Sequence, residues 1–476
     1  MTKIIGLVLG PVLFVLVNLF PVPELIGEIG WKVIGIAVWM VAWWVTEALP
    51  LPVTAILPMI LFPLVGVFDI RTATSAYSNP IIFLFMGGFI IALALEKWNL
   101  HKRIALNLIR LTGTHPNGII LGFMLATAFL SMWISNTATT VMMLPIATSV
   151  TSLLMKESEN NASGYRNFAL CLMLGIAYSA NIGGAITIIG TPPNVVSIGY
   201  MREMLEVEMD FSRWLIVGLP VGACLIAICY LVLTKLMYPS RLGNFESSEN
   251  LINNKIKDLG DISKAEKLVA CVFILTALCW ILRQPINNLI GENILNDTII
   301  AMAGGVLLFI IPVDIKKSEF LLDWESMKKL PWGILILFGG GICLAKGMET
   351  SGLVQLIGDI IAAQGHIGLG VLILILSCIM LFMTEIMSNV ALATIFIPLV
   401  IGIAQGFGYD PIWVAIPVTM AASYAFMMPI STPPNAIVFS SGLIRINQMV
   451  RAGFLLNIIS ILILLLAAFT LVKWIL

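Results

Sequence analysis

Charge is what this chain has least of. Its 476 residues include 26 Lys+Arg and 26 Asp+Glu, or 11% charged, where a soluble domain carries about 25%. A surface facing water on all sides cannot be built from that. Histidine is also scarce: the three residues, His101, His115 and His366, stand near the ends of apolar runs at no metal-ligand spacing. The seven cysteines (Cys171, Cys224, Cys229, Cys271, Cys279, Cys343 and Cys378) sit singly in apolar stretches. Without a CxxC pair they read as packing residues and not as a redox or zinc centre. A net charge of zero offers nothing to a polyanion such as nucleic acid. No Ser/His/Asp constellation or phosphate loop is visible, so an enzyme would lack its reagents and no cofactor is implied.

What is abundant is apolar surface. Hydrophobic residues reach 59% and mean hydropathy is +1.02, so most of the exterior must face lipid. Strand-type alternation is missing, which disfavours a barrel. The sequence predicts an all-α polytopic membrane protein, with spans near residues 4–22, 31–48, 54–66, 80–96, 214–237, 268–283, 295–311, 332–347 and 453–475. The first run could imitate a signal peptide, but no small-residue cleavage site follows, and 1–30 is read as an N-terminal transmembrane helix. Residues 117–154 are interrupted by Ser135-Asn136-Thr137 and residues 366–406 by Ser388-Asn389. Two further runs are broken by Thr-Pro-Pro-Asn. Irregular backbone at membrane depth survives where it lines a cavity, which is where transporters place their sites.

The interruptions repeat in order. Gly87-Gly88 recurs as Gly339-Gly340, Ser135-Asn136 as Ser388-Asn389, Pro145 as Pro398, and Thr191-Pro192-Pro193-Asn194 as Thr432-Pro433-Pro434-Asn435. Four motifs in one order imply an internal duplication. The first repeat is 31–237, with a re-entrant hairpin at 117–154 and a broken helix around 190–194. The second is 268–476, with a hairpin at 366–406 and a break around 431–435, and 238–267 is a cytoplasmic linker. With the N-terminus cytoplasmic and eleven crossings, nineteen of the 26 positive residues fall inside, as the positive-inside rule requires. The repeats are then inverted and face one midplane site. The Gly-Gly pairs read as close helix packing, and Glu47, followed by Pro50 and Pro52, as a span end.

The chemistry of the motifs is that of exposed helix ends. Each Ser-Asn tip offers carbonyl oxygens to a cation and amide N–H groups to an anion. The proline pairs delete amide hydrogens and release carbonyls near Gly190 and Ser431. No Arg or Lys lies within the motifs, so an anion there needs another source of positive potential, and bound sodium ions with helix N-termini would supply one. Glu385, three residues before Ser388, is the acidic residue placed to shape the site.

The stretch Ser131-Met132-Trp133-Ile134-Ser135-Asn136-Thr137-Ala138-Thr139-Thr140, with Met143-Leu144-Pro145 and both Thr-Pro-Pro-Asn breaks, resembles the divalent anion/sodium symporter family. That family holds sodium-coupled dicarboxylate, citrate and sulfate transporters, and the resemblance runs from Trp43-Trp44-Val45-Thr46-Glu47-Ala48 to the last break. It implies a homodimer in the lipid bilayer of the plasma membrane, a scaffold domain, and a transport domain that moves as an elevator. It also implies one sodium at Ser131, Ser135, Asn136 and the Gly190 carbonyl, and a second at Thr384, Asn389 and the carbonyls of Met387 and Ser431. Substrate carboxylates would meet Ser135, Asn136, Thr137, Thr191, Ser388, Asn389 and Thr432, with Val390 also in the pocket. Val390 departs from the family's Thr and Met387 from its usual small residue, which bears on substrate choice and on the second sodium site. The expectation is sodium-driven import of succinate, malate, fumarate or a relative such as citrate. A sodium-independent dicarboxylate exchanger and a sodium/sulfate symporter are the rival readings, and a channel or membrane enzyme lies further off.

Overall fold

The computed structural model describes residues 2–113, 115–157, 162–240, 242, 246–363, 365 and 367–474. His366 and parts of the joining stretch, 241 and 243–245, lie outside them. The chain is mostly helical. Among the described residues seven helices are long and apolar enough to cross a membrane, and an eighth if the bent pair Lys264–Ile281 and Arg283–Ile290 is one span. Six shorter apolar helices accompany them, including Pro116–Ser131, Leu369–Thr384 and Ile412–Ala421.

The helices follow the hydropathy closely, and the differences have local causes. The run read as 54–66 is two helices, Leu51–Thr54 and Leu57–Leu64, each with proline in its first turn, where the missing N–H costs nothing. The segment after Lys97, between two of the expected apolar runs, contains the amphipathic helix Leu100–Leu111. Its charges occupy one face and Leu100, Ala105, Leu106 and Ile109 are buried on the other. Arg103 pins it, donating from Nε to Glu266 at 2.7 Å and from Nη1 to the Gly260 carbonyl at 3.0 Å. A two-stranded antiparallel ribbon, Pro312–Asp314 with Glu319–Phe320, follows the Asp297–Ile310 helix. Glu47 caps the Gly27–Thr46 helix in the left-handed conformation.

At the centre stands the Ala162–Ile186 helix, whose apolar window is wholly buried while those of other spans are partly exposed. It packs against Pro116–Ser131, Asn136–Glu157, Phe211–Leu231 and Pro433–Phe439. A helix covered on every side faces no lipid, so its polar residues, Ser179 and Asn181, are free to serve the interior. The Gly-Gly pairs are packing positions. A Cβ on Gly87 would sit 2.6 Å from the Ala301 carbonyl carbon, and one on Gly340 would strike the Ala55 carbonyl. Both contacts are backbone against side-chain-free backbone, the closest approach helices allow.

Candidate functional site

The first tip forms where the Pro116–Ser131 helix ends and the Asn136–Glu157 helix begins. The turn between them is tight: the Trp133 and Ile134 amides both return to the Leu130 carbonyl at 2.9 Å. Ser135 caps the next helix, its hydroxyl accepting from the Ala138 N–H at 3.2 Å. Ser135 and Thr137 are exposed, whereas Ser131 is fully buried.

The first break lies beside this tip. After Ile186 the chain passes through Thr187, a single 3-10 turn at Ile188–Gly190 and an extended Thr191 into Pro192–Leu205. Thr187 donates its hydroxyl to the Met132 carbonyl, tying break to tip. Asn194 donates to the Thr187 carbonyl at 2.8 Å and the Ala185 carbonyl at 3.2 Å, so the asparagine of the motif satisfies backbone that its prolines cannot. A Cβ on Gly190 would sit 2.9 Å from the Ser131 carbonyl oxygen, and one on Gly184 would sit 2.7 Å from Asn136 Nδ2. The structure thus brings Ser131, Asn136 and Gly190 together across glycine contacts. Ser131 Oγ and Asn136 Oδ1 are buried without a hydrogen-bond partner. Orphaned buried oxygens are rare in folded proteins. Oxygens meeting without N–H donors fit a hard cation such as sodium, which takes oxygen ligands.

The second tip joins Leu369–Thr384 to Asn389–Gly406. Here Thr384 Oγ1 lies 2.8 Å from Asn389 Oδ1 and 3.0 Å from the Ala422 carbonyl. Ala422 is an oxygen the sequence reading did not name. Met387, Ser388, Asn389 and Val390 are half-buried, while the neighbouring Ile386 is 76% exposed, so this tip is not sealed. The Ser431 hydroxyl donates to the Met428 carbonyl at 2.7 Å and accepts from Asn435 Nδ2 at 3.0 Å. Thr432 caps Pro433–Phe439 and accepts from Asn181 Nδ2 at 3.1 Å. Asn435 repeats the role of Asn194, donating to the Ala425 and Met428 carbonyls at 3.0 and 3.1 Å.

The second break is longer than its prolines suggest. The Ile412–Ala421 helix stops well before Pro433, and 422–432 carries no regular helix. Glu385 holds it open. One carboxylate oxygen accepts from the amides of Phe426 (2.8 Å) and Met427 (2.9 Å) and from Asn457 Nδ2 (2.7 Å), and the other from the Met428 amide (3.1 Å). A carboxylate 3% exposed is tolerated because four N–H groups replace its water.

A cavity of about 1220 Å³ adjoins the first tip. Ile134, Ala138 and Thr139 form part of its wall, opposite Lys97, Lys102 and Lys329. Thr139 Oγ1, also on this wall, is buried and unpartnered.

Comparison with known proteins identifies the family. The family model described as the sodium:sulfate symporter transmembrane region matches residues 1–476. The sodium-dependent dicarboxylate transporter SdcS of Staphylococcus saprophyticus is 39% identical over 474 residues, covering 99% of this chain and 91% of its own. SdcS of Staphylococcus aureus USA300 is likewise 39% identical, over 98% of this chain and 91% of its own. Among solved structures, MtrF of Neisseria gonorrhoeae, from a class of antimetabolite efflux pumps, superposes with a TM-score of 0.58 at 14% identity, covering 98% of this chain and 94% of its own. The YdaH transporter of Alcanivorax borkumensis gives 0.57 at 13% identity, covering 85% and 87%. At those identities the likeness speaks to the fold alone. The full-length match and the close relatives make this chain a multi-pass membrane transporter, and it belongs to the sodium:sulfate symporter family.

Proposed function

We propose that the protein is a sodium-coupled symporter that imports C4-dicarboxylates (succinate, malate, fumarate) or related di- and tricarboxylates such as citrate. The observation that carries this reading is the first tip, where two side-chain oxygens, Ser131 Oγ and Asn136 Oδ1, are buried without a hydrogen-bond partner, beside the close approach of Gly184 to the Asn136 side chain and of Gly190 to the Ser131 carbonyl. Thr384, Asn389 and the Ala422 carbonyl form the second oxygen cluster. Cations held there would provide the positive charge that the motifs lack, so that a dianion binds only after sodium. The name shared by the SdcS relatives supports both the ion and the substrate class.

In this reading the eleven crossings form two inverted repeats whose hairpins are re-entrant, and the tips with their broken helices move together as an elevator within a homodimer. The N-terminus lies in the cytoplasm and the chain in the plasma membrane. The cavity beside the first tip, whose lining includes Lys97, Lys102 and Lys329, is then the cytoplasmic vestibule. Uptake of radiolabelled succinate into proteoliposomes tests the proposal, with an inward sodium gradient compared against choline and with citrate and sulfate as competitors. Accumulation with sodium alone is the expected result. Uptake that ignores sodium but needs preloaded dicarboxylate would make the protein an exchanger, and competition by sulfate over succinate would make it a sulfate symporter.

A further inference from the structure

The strongest buried charge cluster lies outside both tips. Arg283, at the bend after the Lys264–Ile281 helix, donates from Nη2 to Asp210 Oδ2 at 2.8 Å and from Nη1 to Asp297 Oδ1 at 3.2 Å. All three residues are buried. Asp210 caps the Phe211–Leu231 helix, its Oδ1 accepting from the Arg213 amide at 2.7 Å. The second oxygen of Asp297 accepts the Phe211 amide at 2.7 Å, and the Asp297 carbonyl accepts Trp280 Nε1 at 3.0 Å. Removing one member of such a cluster leaves a buried charge uncompensated, so its geometry is stiff.

What this stiffness holds is aromatic. Phe211 is clamped at its amide, and its ring stacks on Trp280 with centroids 4.9 Å apart at 17°. Its other neighbour is Trp133, at 5.9 Å and 22°, and Phe273 closes on Trp133 edge-on at 4.9 Å. Trp133 lies midway between Ser131 and Ser135 in the turn of the first tip. A second strut runs parallel: Trp214, one turn on from Phe211, donates to the Ala185 carbonyl at 3.1 Å, which also accepts from Asn194.

We infer that Arg283, with Asp210 and Asp297, is a positioning residue for the first cation cluster, acting through Phe211 and Trp133. It touches neither ion nor substrate. It fixes the plane on which the tip rests, and through that the spacing of Ser131 and Asn136 oxygens. The inference rests on the sodium-coupled reading above. Cation sites are sensitive to their outer supports: loss of one typically weakens metal affinity by about 10–100-fold.

The test uses sodium-dependent thermal stabilisation of the purified full-length protein in detergent, with sodium titrated against choline at constant ionic strength. Phe211→Leu and Trp133→Leu remove the stack from either side, and Arg283→Lys keeps a cation that can reach the carboxylates. Expected is a rise of about tenfold in the sodium concentration giving half-maximal stabilisation for both stack variants, with Arg283→Lys in between. A purely structural role would lower the melting temperature in choline and leave that sodium midpoint alone. Any folded stack variant with the wild-type sodium midpoint overturns the positioning role, while a wild-type protein that ignores sodium overturns the symport reading and this inference with it. Arg283→Gln, which strands two buried carboxylates, is the variant least able to fold, and the outcome does not depend on it.

Discussion

Asn181, in the last two turns of the central helix, donates its amide to the Thr432 hydroxyl 3.1 Å away at the start of the second broken helix. The same amide lies 3.2 Å from the Ala425 carbonyl, so one buried side chain of the first half fastens the interior and the far edge of the break in the second. Asn181→Ala strands these acceptors, at about 1–3 kcal/mol for a buried polar group left unpaired. The expected outcome is a lower melting temperature together with reduced succinate uptake at equal expression. An unchanged melt would show that water or a neighbour replaces the amide.

Glu385 accepts from four N–H groups and donates to none. Glu385→Gln keeps the shape but turns one end into a donor that must face donors, so the isosteric change is costly in its own right. Both Glu385→Gln and Glu385→Ala are expected to abolish uptake, with stability losses of the order of 1–3 kcal/mol per unsatisfied group. Wild-type transport by Glu385→Gln would mean that the break between Ala422 and Thr432 does not need its charge.

Gly184 gives a test of the first cluster that leaves its ligands intact. An added methyl would collide with the Asn136 amide, pushing aside one flexible side chain and no backbone. Gly184→Ala is therefore expected to fold, to reach the membrane, and to lose sodium-dependent uptake, and Asn136→Ala is expected to do the same. Fluorescence size-exclusion chromatography paired with uptake would separate that result from misfolding.

The second cluster predicts a contrast between two hydroxyl changes. Thr384→Ser keeps the oxygen 3.0 Å from the Ala422 carbonyl, and Thr384→Val removes it at constant volume. Uptake should persist with a raised sodium requirement in the first and vanish in the second. Equal activity of the two would remove Thr384 from the site.

One pH effect follows from His101 on the amphipathic helix. Burial holds its imidazole below the ordinary value of 6.5, against the pull of the Leu95 carbonyl, which its Nδ1–H meets at 2.9 Å. A base whose folded pKa is depressed contributes full stability above the unfolded pKa and loses it as pH falls, because the unfolded chain takes up the proton first. Melting temperature should drop below about pH 6.5, and His101→Gln should flatten that slope. The Lys97–Asp323 pair adds nothing in this window: Lys97 holds the Asp323 carboxyl at about 2, so its contribution disappears only in stronger acid.

Spans, tips and breaks were legible because lipid imposes a coarse code: long apolar runs, and polar or proline residues where the backbone must open. The length of the second break was not. Nothing in Ala422-Ser423-Tyr424-Ala425-Phe426 forbids a helix, and the segment is unwound by Glu385, about forty residues upstream, through contacts no local pattern carries. Asn181 left only a weak mark, one amide in an apolar helix. The Ala422 carbonyl beside Thr384 left no mark either, since a main-chain oxygen carries no residue signature. The Arg283 cluster was invisible, since its three members are 73 and 14 residues from one another along the chain.

Asn194 and Asn435 each fill, from one turn into the following helix, the bonding capacity of carbonyls that the break before it sets free. Those bonds are made entirely between the protein's own groups. The transporter therefore does not spend ligand affinity on unwinding a helix during each cycle, because the kink is set once, when the chain folds. Cargo would then meet a rigid socket in which selectivity is decided by fit and not by refolding.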